Sequence, residues 1–440
     1  LDTPDDPLIY RCAGGSIMSI QRPKGTQDII PGTVEKWQFL EEQIRKICSE
    51  YGYKEIRTPV FEATELFQRG VGETTDIVNK EMYTFIDKGQ RSITLRPEGT
   101  ASVCRAYTEN KLYALQQPVK MYYLGPMFRY EKSQAGRFRQ FHQFGAEVLG
   151  GEDPLVDAEI ICLIWDFFGR IGLKGLVVEI NSVGCPTCRA EHRIRLQEFL
   201  QERKDDLCPD CQNRFTKNPM RILDCKNSSC QKLTENAPTT LDTLCVDCAE
   251  HFAKTQEYLN IAGIAYRINP RMVRGLDYYQ KTAFEVTAEG IGAQNAICGG
   301  GRYDGLVQEI GGPATPGIGF AMGLERILSV MEKQSVEMMP EVEAPVVIAA
   351  LGEAARQEGF RLLGDLRQAG LPAVMDLLGK GLKGQLKYAD REQARYVLIL
   401  GDDELARKMV IVRDMRLGEQ QEIPLDQIKA FLLNHTKCEM

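Results

Sequence analysis

The chain is 440 residues long with an ordinary apolar fraction of 43%, and 54 Lys and Arg against 61 Asp and Glu leave a formal net charge of -7. That length buries a substantial core and suits two or three domains; the acidic balance excludes a protein that wraps nucleic acid non-specifically, because phosphate affinity comes from clustered cations. No apolar run approaches the roughly 20 residues that span a bilayer, and LDTPDDPLIYRCAGGS lacks the charged-then-apolar order of a secretory signal, so a cytoplasmic protein with no membrane partner is expected.

Residues 1–17 read as an upstream extension or disordered arm ahead of Met18. From Gly32 to Tyr51 the spacing of Trp37, Leu40, Ile44 and Ile47 predicts a helix ending at Gly52. IRTPVFE reads as a strand containing Pro59, which places it at an edge or an interface. From SITLRPEG through VKMYYLGPMFRYE to FRQFHQFGAEVLG, adjacent strand patterns predict an antiparallel sheet. Glu152 to Arg170 reads as a long helix and GLVVEINSVG as a buried strand; beyond a cysteine-rich stretch the strand pattern resumes at IAYRINP. After the helix GLERILSVMEK the polar QSVEMMPEVEA reads as a linker. APVVIAALG, a helix, AVMDLL, a basic helix, YVLILG and KMVIVRD then alternate as in a small α/β domain.

Positive charge is concentrated in MFRYEKSQAGRFRQFHQFG, a hairpin whose expected turn is KSQAG. With a strand period of two, Arg129, Glu131, Arg137, Arg139, Gln143, Gly145 and Glu147 share one face, and Phe138, His142, Phe144 and Ala146 the other. The face is either a solvated sheet surface or a site for an anion. RGLDYYQKTAFEV sets Arg274, Asp277, Tyr278 and Tyr279 at the mouth of a strand, a mixture suited to gripping a polar ring or an amino acid, or simply to packing. AICGGGRYDGL offers three glycines for close approach to a ligand or for a tight turn, and matches neither phosphate-loop nor dinucleotide fingerprints. PGIGFAMGLERIL is a Gly-rich strand entering a helix, with Arg326 one turn in.

Eight cysteines fall in four pairs: Cys185 and Cys188, Cys208 and Cys211, Cys225 and Cys230, Cys245 and Cys248. Three pairs are C-x-x-C at intervals resembling zinc ribbons, and disulfides do not suit a reducing cytosol, so one or two structural Zn²⁺ ions are expected, with free thiols the alternative. His192 and His251 are substitute ligands or exposed helix residues.

IRTPVFE, FRYEKSQAGRFRQFHQFGAE and GFAMGLERI resemble the three signature motifs of class II aminoacyl-tRNA synthetases. LRPEGT, RGLDYY and GGGRYDGL resemble signatures of the histidyl-tRNA synthetase family within that class, and the likeness runs from about Met18 into the C-terminal region, weakest in the cysteine-rich insert. The resemblance implies an α+β fold: an antiparallel-sheet catalytic domain over 18–340 with an insertion at about 184–262, then an α/β anticodon-binding domain over 343–440. It implies ligation of L-histidine to tRNA(His) with ATP and Mg²⁺, in a homodimer with the Pro59 region at the interface. Arg129 would hold the α-phosphate, Arg137 and Arg326 the outer phosphates, and Glu131 would help read adenine; Arg274 would reach the α-phosphate and the carboxylate. Glu98, Gly99, Thr100 and Gln143 would bind the ammonium end of histidine, Glu147, Tyr279 and Tyr303 would surround the imidazole, and Tyr278 would line the pocket. In the C-terminal domain Lys380, Lys383, Lys387, Arg391 and Arg395 recur at three- and four-residue steps as a basic helical ridge for tRNA, or else a solvated helix face. A regulatory subunit sharing the catalytic fold would be expected to lack the ATP arginines and the C-terminal domain, and a tRNA sensor to carry an effector domain.

Overall fold

A computed structural model describes residues 20–72, 75, 77–132, 136–288, 296–338 and 344–436. Residues 1–17, read as an extension, lie outside them, as does most of the KSQAG turn. The chain forms two compact units, divided after residue 340.

The first unit is built on eight described strands in the spatial order 54–55, 119–128, 140–149, 317–323, 296–302, 280–288, 176–182 and 266–268. The five inner pairings are antiparallel and the two outermost are parallel. One face carries the core: Phe144, Ala146 and Val148 pack against Leu40, Ile44 and Ile47 of helix Val34–Glu50 and Ile164, Phe167 and Phe168 of helix Pro154–Arg170. Pro154 fits the first turn of that second helix, where no backbone N–H is needed, and the Asp153 side chain caps it by accepting from Leu155 N at 2.8 Å. The other sheet face presents Gln143, Gly145 and Glu147, in register with Gly323, Ala321 and Gly319 of the neighbouring strand.

Three expectations change. IRTPVFE is not one strand: only its last two residues are in a strand, Phe61–Ala63 of a separate three-stranded sheet, while Lys54–Glu55 just before it joins the main sheet, with Pro59 between the two. Proline cannot donate to a ladder, and the carbonyls of Thr58 and Pro126 are instead bound by the Arg96 guanidinium, each at 2.9 Å. The hairpin strands are Val119–Phe128 and Gln140–Leu149, so Arg129, Glu131, Arg137 and Arg139 lie past the ladder ends rather than on it. The glycine run 299–301 is mid-strand, not a turn.

The cysteine-rich segment folds as helices Pro186–Gln201, Pro209–Lys217, Ser228–Leu233 and Val246–Ile261. Leu196, Leu200, Phe215, Ile222 and Leu223 form a separate small core around Cys211, Cys225 and Cys230. The second unit is a five-stranded sheet in the order 373–375, 346–350, 396–400, 409–414, 420–424, parallel in its first pairings and antiparallel in its last two. Strand Gln420–Pro424 and helix Ile428–Thr436 follow the last element anticipated from sequence. No described helix is long and apolar enough to cross a membrane.

Candidate functional site

A cleft of about 300 Å³ opens on the glycine-bearing sheet face. The loop ends past the hairpin ladder bring Arg129, Glu131 and Arg137; the strand-to-helix junction at Gly323 brings Arg326; the RGLDYY loop brings Arg274, Tyr278 and Tyr279; and the start of helix Thr100–Glu109 brings Glu98 and Thr100. Four arginines from three remote stretches of the chain thus converge. Arg129 is held by its Nε donating to Pro97 O at 2.9 Å, with its guanidinium 5.3 Å from the Phe141 ring centroid. Arg137 donates to Glu131 at 2.8 Å, and Arg326 to the Ala296 carbonyl at 2.5 Å. Burial, then the nearby Arg137 charge, pulls the Arg326 pKa down. Repulsion of that kind inside a net acidic protein favours an anion between the two cations.

Arg274 is ion-paired with Glu285, lies 5.3 Å from the Tyr279 ring centroid and is mostly buried. Its guanidinium occupies the space above Gly299, where a Cβ would fall 2.5 Å from Nη2.

At the other end of the cleft sit two buried carboxylates. Glu98 accepts from Thr100 N at 2.7 Å and Ala101 N at 2.9 Å, capping the helix that follows. Burial pushes its pKa up against those bonds. Glu147 is fully buried and accepts from Thr100 Oγ1 at 2.7 Å and Tyr303 Oη at 2.5 Å. Burial raises its pKa to about 8, the two hydroxyls opposing. Gln143 lines the cleft with its Oε1 buried and without a partner among the described residues, a state that a bound donor would relieve. Tyr278 and Tyr279 form a wall with ring centroids 4.7 Å apart. A cation or polar ring carrying donors suits this end; a polyanion suits the arginine end.

Of the residues singled out from sequence for the site, Gly99, Glu147, Asp277 and Tyr303 do not line the cleft, and Asp277 instead accepts from Asn218 at 3.0 Å. Gly99 backs onto Tyr123, and Glu147 and Tyr303 form the buried layer beneath Thr100 and Tyr278. Gly319 makes room for that layer, since a Cβ there would coincide with the Glu147 carboxylate. Sequence reading missed Glu285 and Phe141; both are odd-numbered on the strands whose odd face was already singled out or adjoins it, which was the available signal.

The cysteines assemble as Cys185, Cys188, Cys245 and Cys248, and as Cys208, Cys211, Cys225 and Cys230, with all sulfurs of each set within 4.8 Å of one another. Separations of 3.5 Å for Cys185–Cys188 and 3.8 Å for Cys208–Cys225 approach the roughly 3.8 Å edge of a tetrahedron with about 2.3 Å Zn–S bonds. Burial opposes it, yet hydrogen bonds from Cys188, Thr187 and Cys245 bring the Cys185 thiol down to about 6. His192 and His251 are in neither set, nor are they exposed. His192 pairs with the Pro238 carbonyl at 2.9 Å, and His251 with Asp157 at 3.1 Å, in a buried network with Arg302. Helix packing, invisible to a local reading, buried them.

In the second unit Lys383, Lys387 and Arg391 are exposed on helix Leu382–Arg391, whereas Lys380 precedes the helix and Arg395 follows it beside Asp414 at 4.0 Å. The ridge is therefore three residues on a helix flanked by two on loops.

A family model described as histidyl-tRNA synthetase matches residues 25–327, and one described as an anticodon binding domain matches 345–435. The chain is 67% identical over 412 residues to the histidine--tRNA ligase of Desulfitobacterium hafniense, covering 94% of this chain and 97% of that one. It is 57% identical over 420 residues to that of Desulforamulus reducens, covering 95% and 100%. Among solved structures it is similar to apo S. aureus histidyl-tRNA synthetase, with 40% identity, a TM-score of 0.81 and coverage of 94% and 99%.

Proposed function

The chain belongs to the histidyl-tRNA synthetase family and is a histidine–tRNA ligase, and from that premise we propose how its residues perform the two steps. The histidine carboxylate attacks the α-phosphorus of ATP, the bond to the bridging oxygen breaks, and pyrophosphate leaves with histidyl-adenylate retained; histidine then passes to the 3′ end of tRNA(His). A carboxylate is already nucleophilic, so no general base is needed, and the task is alignment and neutralisation of phosphate charge.

The convergence of Arg129, Arg137, Arg274 and Arg326 on one cleft, beside Glu98, Gln143 and the tyrosine wall, carries this reading. Arg129 and Arg274 stand where the α-phosphate and the attacking carboxylate meet. Arg137 and Arg326 take the outer phosphates, Phe141 offers a flat wall for adenine, and Glu131 stands where it can accept from the base. Mg²⁺ carried in with ATP would add neutralising charge at the phosphates, and Glu285, which also pairs with Arg274, is a wall carboxylate that would hold it. Glu98 and Gln143 hold the ammonium group of histidine, with Gly99 and Thr100 shaping that end. Glu147, buried beneath the cleft, fixes Thr100 and Tyr303 from below and so shapes the imidazole pocket walled by Tyr278 and Tyr279. Such a site rejects analogues lacking both ring nitrogens by a factor on the order of 10⁴.

Residues 18–340 act as the catalytic domain and 343–440 as the anticodon-binding domain, with tRNA phosphates meeting Lys380, Lys383, Lys387, Arg391 and Arg395. The two four-sulfur clusters each hold a structural Zn²⁺, supported by their thiol-only composition and tetrahedral spacing. A cytoplasmic homodimer completes the reading. Pyrophosphate exchange measured with each of the twenty amino acids tests it: histidine alone should support exchange, and a different preferred amino acid would overturn it.

A further inference from the structure

We propose that Asn218 and Arg221, carried by the second cysteine cluster, are positioning residues for the loop that holds Arg274, so that the metal load of the insertion sets the affinity of the site for histidine; the proposal rests on the reading of the cleft given above. The loop from Arg274 to Tyr279 has no regular secondary structure of its own, yet it brings one arginine and two tyrosines to the cleft. Its side remote from the cleft is held by the insertion. Arg221 Nη1 donates to the Arg274 carbonyl at 3.3 Å, and Asn218 Nδ2 donates to Asp277 Oδ1 at 3.0 Å. Arg189, on the first insertion helix, donates to the carbonyls of Asp277 and Tyr279, both at 3.3 Å.

What fixes Asn218 and Arg221 is the cluster itself. Helix Pro209–Lys217 begins at the Cys208 cap, contains Cys211 and ends on Asn218; the short helix Pro219–Ile222 follows, and Cys225 comes three residues later. Ile222 and Leu223, directly after Arg221, are buried in the same small core as Cys211, Cys225 and Cys230. A core of this size is marginal on apolar burial alone, and without a cation its four cysteines hold one another only by weak sulfur contacts such as Cys208–Cys225 at 3.8 Å. A bound Zn²⁺ therefore orders the segment from which both donors project. Without it the loop keeps its tether to Arg189 and loses those to Arg221 and Asn218.

This assigns the insertion a role in amino-acid binding that a merely stabilising appendage lacks. Adenine and the outer phosphates are met by Arg129, Arg137, Phe141 and Arg326, none of which comes from the RGLDYY loop or the insertion, so KM for histidine moves more than KM for ATP, and because Arg274 also reaches the α-phosphate kcat falls with it.

The test is steady-state pyrophosphate exchange by the full-length protein with histidine and ATP varied separately, alongside zinc content and thermal unfolding. Arg221→Ala and Asn218→Ala are expected to raise KM for histidine by about tenfold each, the loss of one hydrogen bond that orders the loop, with KM for ATP within about twofold and two zinc ions retained. Cys208→Ser, which removes one zinc and so releases both tethers, should raise KM for histidine at least as far as Arg221→Ala alone. Adding Arg221→Ala to Cys208→Ser should give no further rise, because the Arg221 contact is already lost. Any one of these results overturns the proposal: an unchanged histidine KM in Arg221→Ala, an unchanged histidine KM in Cys208→Ser after loss of zinc, or multiplying effects in the double variant. Parallel increases in both KM values with a lowered unfolding temperature also overturn it, since they mark general loosening. Failure of the wild type to exchange with histidine would instead strike the underlying functional reading.

Discussion

Adding one methyl group at Gly299 should disable the adenylation step while leaving the fold intact. Gly299 lies in strand Ala296–Arg302, paired with Glu285 on one side and Ala321 on the other. The three atoms nearest a Cβ built there all belong to the Arg274 guanidinium, Nη2 at 2.5 Å, Nη1 at 2.8 Å and Cζ at 3.0 Å. Ordinary contact begins near 3.5 Å, so the guanidinium must retreat by about 1 Å. It is the far end of a flexible side chain, so folding is spared, and alanine in place of glycine in a strand shifts stability by no more than about 1 kcal/mol. Catalysis is not spared. Displacing a charge-stabilising group by about 1 Å lowers the rate by a factor on the order of 100, equivalent to about 2.7 kcal/mol of barrier. Histidine-dependent pyrophosphate exchange reads kcat directly, and urea unfolding reads stability. Gly300→Ala is the control with the opposite profile: its Cβ would strike the Gly319 carbonyl, the Phe284 ring and the Phe320 Cβ, a clash in the core expected to destabilise by about 1–3 kcal/mol. Exchange within threefold of wild type in a normally stable Gly299→Ala protein would refute the placement of Arg274 at the reacting centre.

Burial raises the Glu147 carboxyl from the ordinary 4.5 to about 8, so the native protein keeps a proton that the unfolded chain has released; this group's contribution to stability is fully present below 4.5 and is lost as pH rises through 8. Glu147→Gln should flatten the decline in unfolding free energy between pH 5 and pH 8 and weaken histidine binding, and an unaltered decline in denaturant titrations would count against the buried carboxyl. Metal analysis should find two zinc ions per chain, with Cys185→Ser and Cys208→Ser each losing one; less than one zinc in the wild type would remove the metal assignment. Charge reversal at Lys383, Lys387 and Arg391 should raise KM for tRNA about tenfold while pyrophosphate exchange is unchanged, and a tRNA dependence like that of the wild type would clear this surface of the role.

The sequence alone carried the class of fold and the chemistry. Trp37, Leu40, Ile44 and Ile47 announce the first helix because a period of 3.6 is a local property, and Gln143, Gly145 and Glu147 share a face because a period of two is local as well. The cysteine spacing gave the members of the clusters but not how they group. Cys185 and Cys188 join Cys245 and Cys248, across 60 residues, because helices Pro186–Gln201 and Val246–Ile261 begin side by side, which no spacing rule contains. Tertiary structure also decided that His192 and His251 are buried partners of Pro238 and Asp157, and that Pro59 divides two sheets rather than edging one. It set Glu147 and Tyr303 beneath the cleft, with Arg274 above Gly299. Depth within a layered fold and approach between remote segments depend on how elements stack, and that packing is settled only when the whole chain closes on itself.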